Sequence, residues 1–166
     1  MNNNDILRRV RYIFDMDDSR MMTVFSSTGY KVTRAQISDW LKKDDDPAFK
    51  ACDDKQLAIF LNGFINDRRG KKEGEQPQPE KRLNNNIIFR KLRIALNLRD
   101  EDVLELLELA NFRLSKHELS AFFRKEDHKH YMRCKDQVLR RFLQGLQIRH
   151  RGEPDGAEDG SEGWCR

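Results

Sequence analysis

Asn2-Asn3-Asn4-Asp5-Ile6-Leu7-Arg8-Arg9-Val10-Arg11 returns further along the chain as Asn84-Asn85-Asn86-Ile87-Ile88-Phe89-Arg90-Lys91-Leu92-Arg93. The correspondence continues without a gap until Gly70 falls on Gly152. About a quarter of the paired positions are identical, where unrelated chains of ordinary composition would share roughly 6%. Many of the others are conservative, among them Tyr30 with Phe112, Thr33 with Ser115, Ile37 with Leu119 and Trp40 with Phe122. The chain is a tandem duplication, so one reading of local structure must serve both copies.

Residues 1–70 form the first repeat and 84–152 the second. Residues 71–83 join them; this stretch is polar, contains Pro77 and Pro79, and lacks hydrophobic periodicity, so it reads as a linker. Within each repeat the apolar spacing predicts four helices. Ile6, Leu7, Val10, Ile13 and Phe14 make the inward face of the first, with Asn3 or Asn4 expected as its N-cap. The second starts near Asp17-Asp18, carries Met21, Met22, Val24 and Phe25, and stops at Gly29, or at Asn111 in the copy. Thr33 or Ser115 opens the third, with Ile37, Trp40 and Leu41 inward. The fourth begins near Asp53-Asp54 and carries Leu57, Phe60, Leu61 and Phe64. Gly63 and Gly145 fall inside it, where glycine costs up to about 1 kcal/mol against alanine, so its use in both copies predicts close helix contact. No alternating strand pattern occurs. The fold class is all-α: a duplicated four-helix unit containing a helix-turn-helix-like hairpin.

The 166 residues carry a net charge of +4, spread unevenly. Residues 2–70 sum to +1, 84–152 to +6, and 153–166 to −4. The last of these segments is rich in glycine and acid and is expected to be a disordered tail. No run of 18 apolar residues exists, so no membrane span is expected. The N-terminus lacks the uninterrupted apolar core of a signal peptide. Three cysteines are too few for a disulfide framework. A cytoplasmic location follows as the expectation.

The opening Asn-Asn-Asp-Ile-Leu-Arg-Arg-Val-Arg-Tyr, the segment Trp40-Leu41-Lys42-Lys43-Asp44-Asp45, the Cys52 to Gly70 segment with Phe60-Leu61-Asn62-Gly63, and Asn84-Asn85-Asn86-Ile87 resemble the bacterial YehS-like family. The resemblance covers residues 2–152. It implies a small bacterial cytoplasmic protein of unknown function and supplies no activity, cofactor or catalytic residue.

For function, the second and third helices of each repeat suggest a DNA or RNA reader. In a helix-turn-helix, the second helix packs one face in the core and offers its first residues to base edges. Arg34 and Gln36 hold that position in the first repeat, Lys116 and His117 in the second. Lys42, Lys43, Arg124 and Lys125 end the same helices, where phosphates would meet them. Two such units suggest a pseudo-dimer on two half-sites. One feature departs from the motif: Gly29 precedes Ile37 by eight positions, about two more than its turn allows.

The competing reading is an adaptor or regulator that binds another protein. Many shared polar residues then serve as caps. Arg8 and Arg11, like Arg90 and Arg93, share one helix face at i, i+3. The structural expectation ties them to Asp45 and Asp127 at the end of the third helix; the alternative is an anion-binding arginine pair.

Enzymatic readings are the weakest. His128 and His130 lie in a charged loop whose first-repeat counterpart holds Asp46 and Ala48, so solvated rings are expected rather than a metal site. Cys52 and Cys134 occupy equivalent positions, but the first repeat contains no histidine to act as base. No phosphate-cradling glycine loop or nucleophile elbow appears. No enzyme activity and no cofactor is expected.

Overall fold

The computed structural model describes residues 1–152. Residues 153–166, read above as a disordered tail, lie outside the described residues. Among the described residues there are eight helices and no strand. The first repeat folds as α1 (Asn3–Ile13), α2 (Asp18–Ser26), α3 (Arg34–Leu41) and α4 (Asp54–Arg69). The second folds as α5 (Asn85–Ala95), α6 (Asp100–Leu109), α7 (Lys116–Phe122) and α8 (Asp136–Arg151). The chain divides into two compact units, built essentially on residues 2–83 and 84–152. No described helix is long and apolar enough to cross a membrane.

Each core is assembled from the stripes that the periodicity marks. Ile6, Leu7, Val10, Met21, Phe25, Ile37, Leu57, Phe60 and Leu61 are all buried in the first repeat. Full burial of each such side chain contributes about 1.5–3 kcal/mol. Met22, Phe14 and Leu41 are only half-buried, at the margins of their stripes. The aromatic centre has been redistributed between the copies. In the first, Phe25 packs on Phe60 with ring centroids 5.4 Å apart. In the second, Leu107 stands at the Phe25 position and Phe89 at the Leu7 position, and Phe89 meets Phe142 at 4.7 Å. The exchange of leucine and phenylalanine keeps the volume of the centre while changing which helix supplies the ring.

α2 lies against α4, and α6 against α8, closely enough that only glycine fits at the crossing. A Cβ on Gly63 would stand 2.1 Å from the Val24 carbonyl oxygen; one on Gly145 would stand 2.0 Å from that of Leu106. The turns after α2 and α6 use left-handed residues, Gly29 at φ 90° and Asn111 at φ 57°.

The asparagine triplet does three different jobs. Asn2 is the N-cap of α1: its Oδ1 accepts the Asp5 N–H at 2.8 Å, and the Asp5 carboxylate accepts the Asn2 N–H at 3.0 Å. Asn84 accepts the Ile87 N–H in the same way at 2.9 Å. The expectation that Asn3 or Asn4 caps the helix is therefore corrected. Those two side chains instead serve the long loop between the third and fourth helices, whose backbone has little regular structure to pair with. Asn3 Nδ2 donates to the Cys52 carbonyl at 3.1 Å and to Asp54 at 2.8 Å. Asn4 Nδ2 donates to the carbonyls of Trp40 (2.8 Å) and Lys50 (2.9 Å), while its Oδ1 accepts the Cys52 N–H at 2.9 Å. In the second repeat Asn85 bonds Cys134 and Asp136, and Asn86 bonds Phe122, Met132 and Cys134. Asn86 thus holds both ends of loop 123–133, and the Met132 N–H donates to the Ala121 carbonyl at 3.2 Å. The loop is pinned at its base and presents its tip to solvent.

Candidate nucleic-acid interface

α3 and α7 open on capping boxes. The Thr33 hydroxyl accepts the Gln36 N–H at 3.1 Å, and the Gln36 side chain accepts the Thr33 N–H at 2.8 Å. Ser115 and Glu118 repeat this at 3.0 and 3.1 Å. Hydrogen bonding from the Ser115 N–H holds the Glu118 carboxyl below its usual range. Gln36, a candidate base reader, is therefore a cap residue, and a carboxylate occupies the matching place in α7. The connection from α2 to α3 runs over residues 27–33, and that from α6 to α7 over 110–115. Both exceed the three- or four-residue turn of a helix-turn-helix.

The remaining candidates divide by repeat. Arg34 lies 3.5 Å from Asp18 and donates to Ser19 Oγ at 3.1 Å. Lys42 Nζ donates to Ser38 at 3.0 Å and to Asp39 at 3.3 Å. Lys43 is exposed, but the loop it opens continues as Asp44-Asp45-Asp46. In the second repeat Lys116 reaches Glu101 at 3.4 Å, and both side chains are exposed. His117, Arg124 and Lys125 are exposed. Arg124, Lys125, His128 and Lys129 surround a shallow depression together with Phe123 and Asp127. The Arg93 guanidinium stacks over Phe123, 4.6 Å from the ring centre.

The three imidazoles of this face are neighbours. His128 and His130 have ring centroids 5.6 Å apart, and His117 and His130 6.5 Å apart. His128 Nδ1 accepts the His130 N–H at 3.0 Å. Among the described residues no group of three or more histidine, cysteine or acidic side chains is arranged to hold a metal ion. From the sequence His117 is a candidate base reader and the other two are solvated rings. Folding gathers all three, which spacing alone does not show, because His117 sits on α7 and its neighbours lie past the helix end.

The arginine pairs take partners other than those expected. Arg8 Nη1 donates to the Lys42 carbonyl at 2.6 Å, and Nη2 meets Asp5 and, at 3.7 Å, Asp44. It does tie α1 to the end of α3, one residue short of Asp45, since the loop start lies nearer than its exposed tip. Arg11 turns the other way, to the Met16 carbonyl at 2.9 Å and Asp18 at 3.2 Å. Arg93 does the same with Leu98 (3.3 Å) and Asp100 (3.6 Å). Neither Arg90 nor Arg93 pairs with Asp127, and Arg90 and Asp127 are both exposed. The cleft lined by Arg8, Arg11 and Tyr12 also contains Asp15 and Asp17. With Asp5, Asp18 and Asp44 already facing the two guanidiniums, it is a poor anion site.

Cys52 and Cys134 are buried. Burial, reinforced by Asp53 and Asp54, pushes the Cys52 thiol up to about 12; burial and Asp136 do the same for Cys134. Neither supplies a thiolate at neutral pH.

Comparison with known proteins accounts for the duplication. A family described as "Protein of unknown function (DUF1456)" matches twice, at residues 3–70 and 85–152. The chain belongs to the DUF1456 family. The two matches coincide with the two four-helix repeats, so one DUF1456 unit is one such repeat. The uncharacterized protein YehS of Escherichia coli (strain K12) is 43% identical over 150 residues, covering 90% of this chain and 96% of that protein. No solved structure matches.

Proposed function

We propose that this DUF1456 protein is a non-enzymatic binding protein whose ligand is nucleic acid, held through the basic face of its second repeat. The observation that carries the reading is the depression at the end of α7, ringed by exposed Arg124, Lys125 and Lys129. Loop 123–133 holds four cations against two anions, where the equivalent loop 41–51 holds three against three. The same backbone is thus electropositive in one copy and balanced in the other. A cluster of this kind attracts phosphates and releases their counterions.

The paired helix-turn-helix arrangement on two half-sites is less well supported than a single basic face. Gln36 is occupied in a cap, Arg34 and Lys42 are paired within the first repeat, and both interhelical connections are long.

The test is fluorescence anisotropy of labelled random DNA and RNA at about 50 mM and about 200 mM salt. Three or four phosphate contacts predict affinity falling about 20- to 50-fold over that range on a single strand and about 40- to 150-fold on a duplex. Absence of binding at the lower salt overturns the reading. It would leave the protein-binding adaptor, which has its own support in Tyr12 and Ile94. These equivalent positions of α1 and α5 are exposed at 46% and 47%.

A further inference from the structure

The second-repeat face differs from its first-repeat counterpart in rings as well as in charge. His117, His128 and His130 replace Ala35, Asp46 and Ala48, and Lys129 replaces Pro47. All three imidazoles are exposed, and each lies within 6.5 Å of another. Half-buried Tyr131 follows directly. Phe123 forms part of the depression, and the Arg93 guanidinium lies over its ring. The loop that carries most of these groups is fixed at both ends by Asn86.

From this juxtaposition we infer that the ligand is single-stranded nucleic acid, with bases stacking on the imidazoles of His117 and His130 while Arg124, Lys125 and Lys129 take the phosphates. The inference rests on the nucleic-acid reading above and narrows it. Cations interleaved with rings suit a strand whose bases can be splayed out, because every base has a π-face and unpaired bases can reach a ring. A duplex keeps its bases stacked inside and offers this surface only phosphates. Reading a duplex groove needs a helix that projects side chains from its first turns. α7 spans only Lys116–Phe122, and its first turn carries Glu118 locked to Ser115. The carboxylates of Glu126 and Asp127 beside the depression also disfavour continuous tracking of a duplex backbone, while a flexible strand can route its phosphates around them.

The test uses the full chain and anisotropy titration with fluorescein-labelled oligo-uridine and oligo-thymidine of about 15 nucleotides, and with a mixed-sequence duplex of about the same length. Both single strands are expected to bind at least about tenfold more tightly than the duplex at matched salt. A combined Arg124→Ala, Lys125→Ala, Lys129→Ala variant should flatten the salt dependence by about two in logarithmic slope. A His117→Ala, His130→Ala variant should weaken single-strand binding about tenfold and leave that slope unchanged. Lys42→Ala, Lys43→Ala serves as the first-repeat control and should change little. All substituted second-repeat side chains are exposed, and an unchanged circular dichroism spectrum checks that the variants fold. A duplex bound as tightly as the single strands overturns this inference and leaves the nucleic-acid reading standing. No binding of any probe overturns both. Equal losses from the first-repeat control remove the assignment to the second repeat.

Discussion

Asn4 and Cys52, 48 residues apart in the chain, are joined by a buried hydrogen bond from the Cys52 N–H to the Asn4 carboxamide oxygen at 2.9 Å. Asn86 and Cys134 repeat it at the same separation and the same length. With its two N–H groups on the carbonyls either side of the loop, each carboxamide uses nearly all its bonding capacity on backbone. The loop that distinguishes the two repeats in charge is therefore held by a device that is identical in both.

Replacing either asparagine by alanine strands buried backbone groups. Asn4→Ala and Asn86→Ala are each expected to cost about 2–4 kcal/mol. Asn2→Ala, which removes a solvent-exposed cap, should cost about 1 kcal/mol. Urea denaturation with an unchanged slope and shifted midpoint measures the difference. Equal losses at all three positions would contradict the division of labour within the triplet.

Gly63→Ala and Gly145→Ala should destabilise although alanine is the better helix former. The added Cβ meets a backbone oxygen, which can yield only if α2 or α6 moves. A loss of about 1–3 kcal/mol by the same denaturation assay is expected. Stabilisation at either site would show that the helices are not in this contact.

The raised thiols of Cys52 and Cys134 give a pH dependence with a definite sign. A folded-state value near 12 against an ordinary 9.0 means that the unfolded chain releases these protons first. Their contribution is complete below pH 9 and is lost between about 9 and about 12. Peptide mapping after iodoacetamide at pH 8 should find both cysteines unmodified until urea is added. Rapid labelling of Cys52 or Cys134 in the folded chain would contradict their burial.

Gln36→Ala separates a cap from a base reader. Loss of the capping box should lower stability by about 0.5–1 kcal/mol. Affinity for any nucleic acid should stay within about twofold of the parent, whereas a base-reading glutamine would give a sequence-dependent loss of about 1–3 kcal/mol.

Much of the architecture was legible because it rests on periodicity and on a repeat. Ile37 and Leu119, or Phe60 and Phe142, mark the same core position twice, and Gly63 and Gly145 announced a close crossing that the Val24 and Leu106 oxygens explain. Side-chain choices between near-equivalent partners were not legible. Three consecutive asparagines look alike as caps, and only the helix phase sends Asn3 and Asn4 toward the loop. Arg8 met Asp44 rather than Asp45 because a loop's path decides which carboxylate comes within reach. The imidazole cluster was hidden for the same reason: His117 and His130 are distant in sequence, and their proximity depends on how the loop folds back along α7.

The most direct test of the account is residue-resolved. Amide ¹H–¹⁵N correlation spectra of the full chain, titrated with unlabelled oligo-uridine, should show shifts concentrated in residues 116–133. Residues 34–51, the equivalent stretch without the imidazoles and with its loop charges balanced, should remain unmoved. Equal perturbation of both stretches, or of neither, would contradict the assignment of binding to the second repeat.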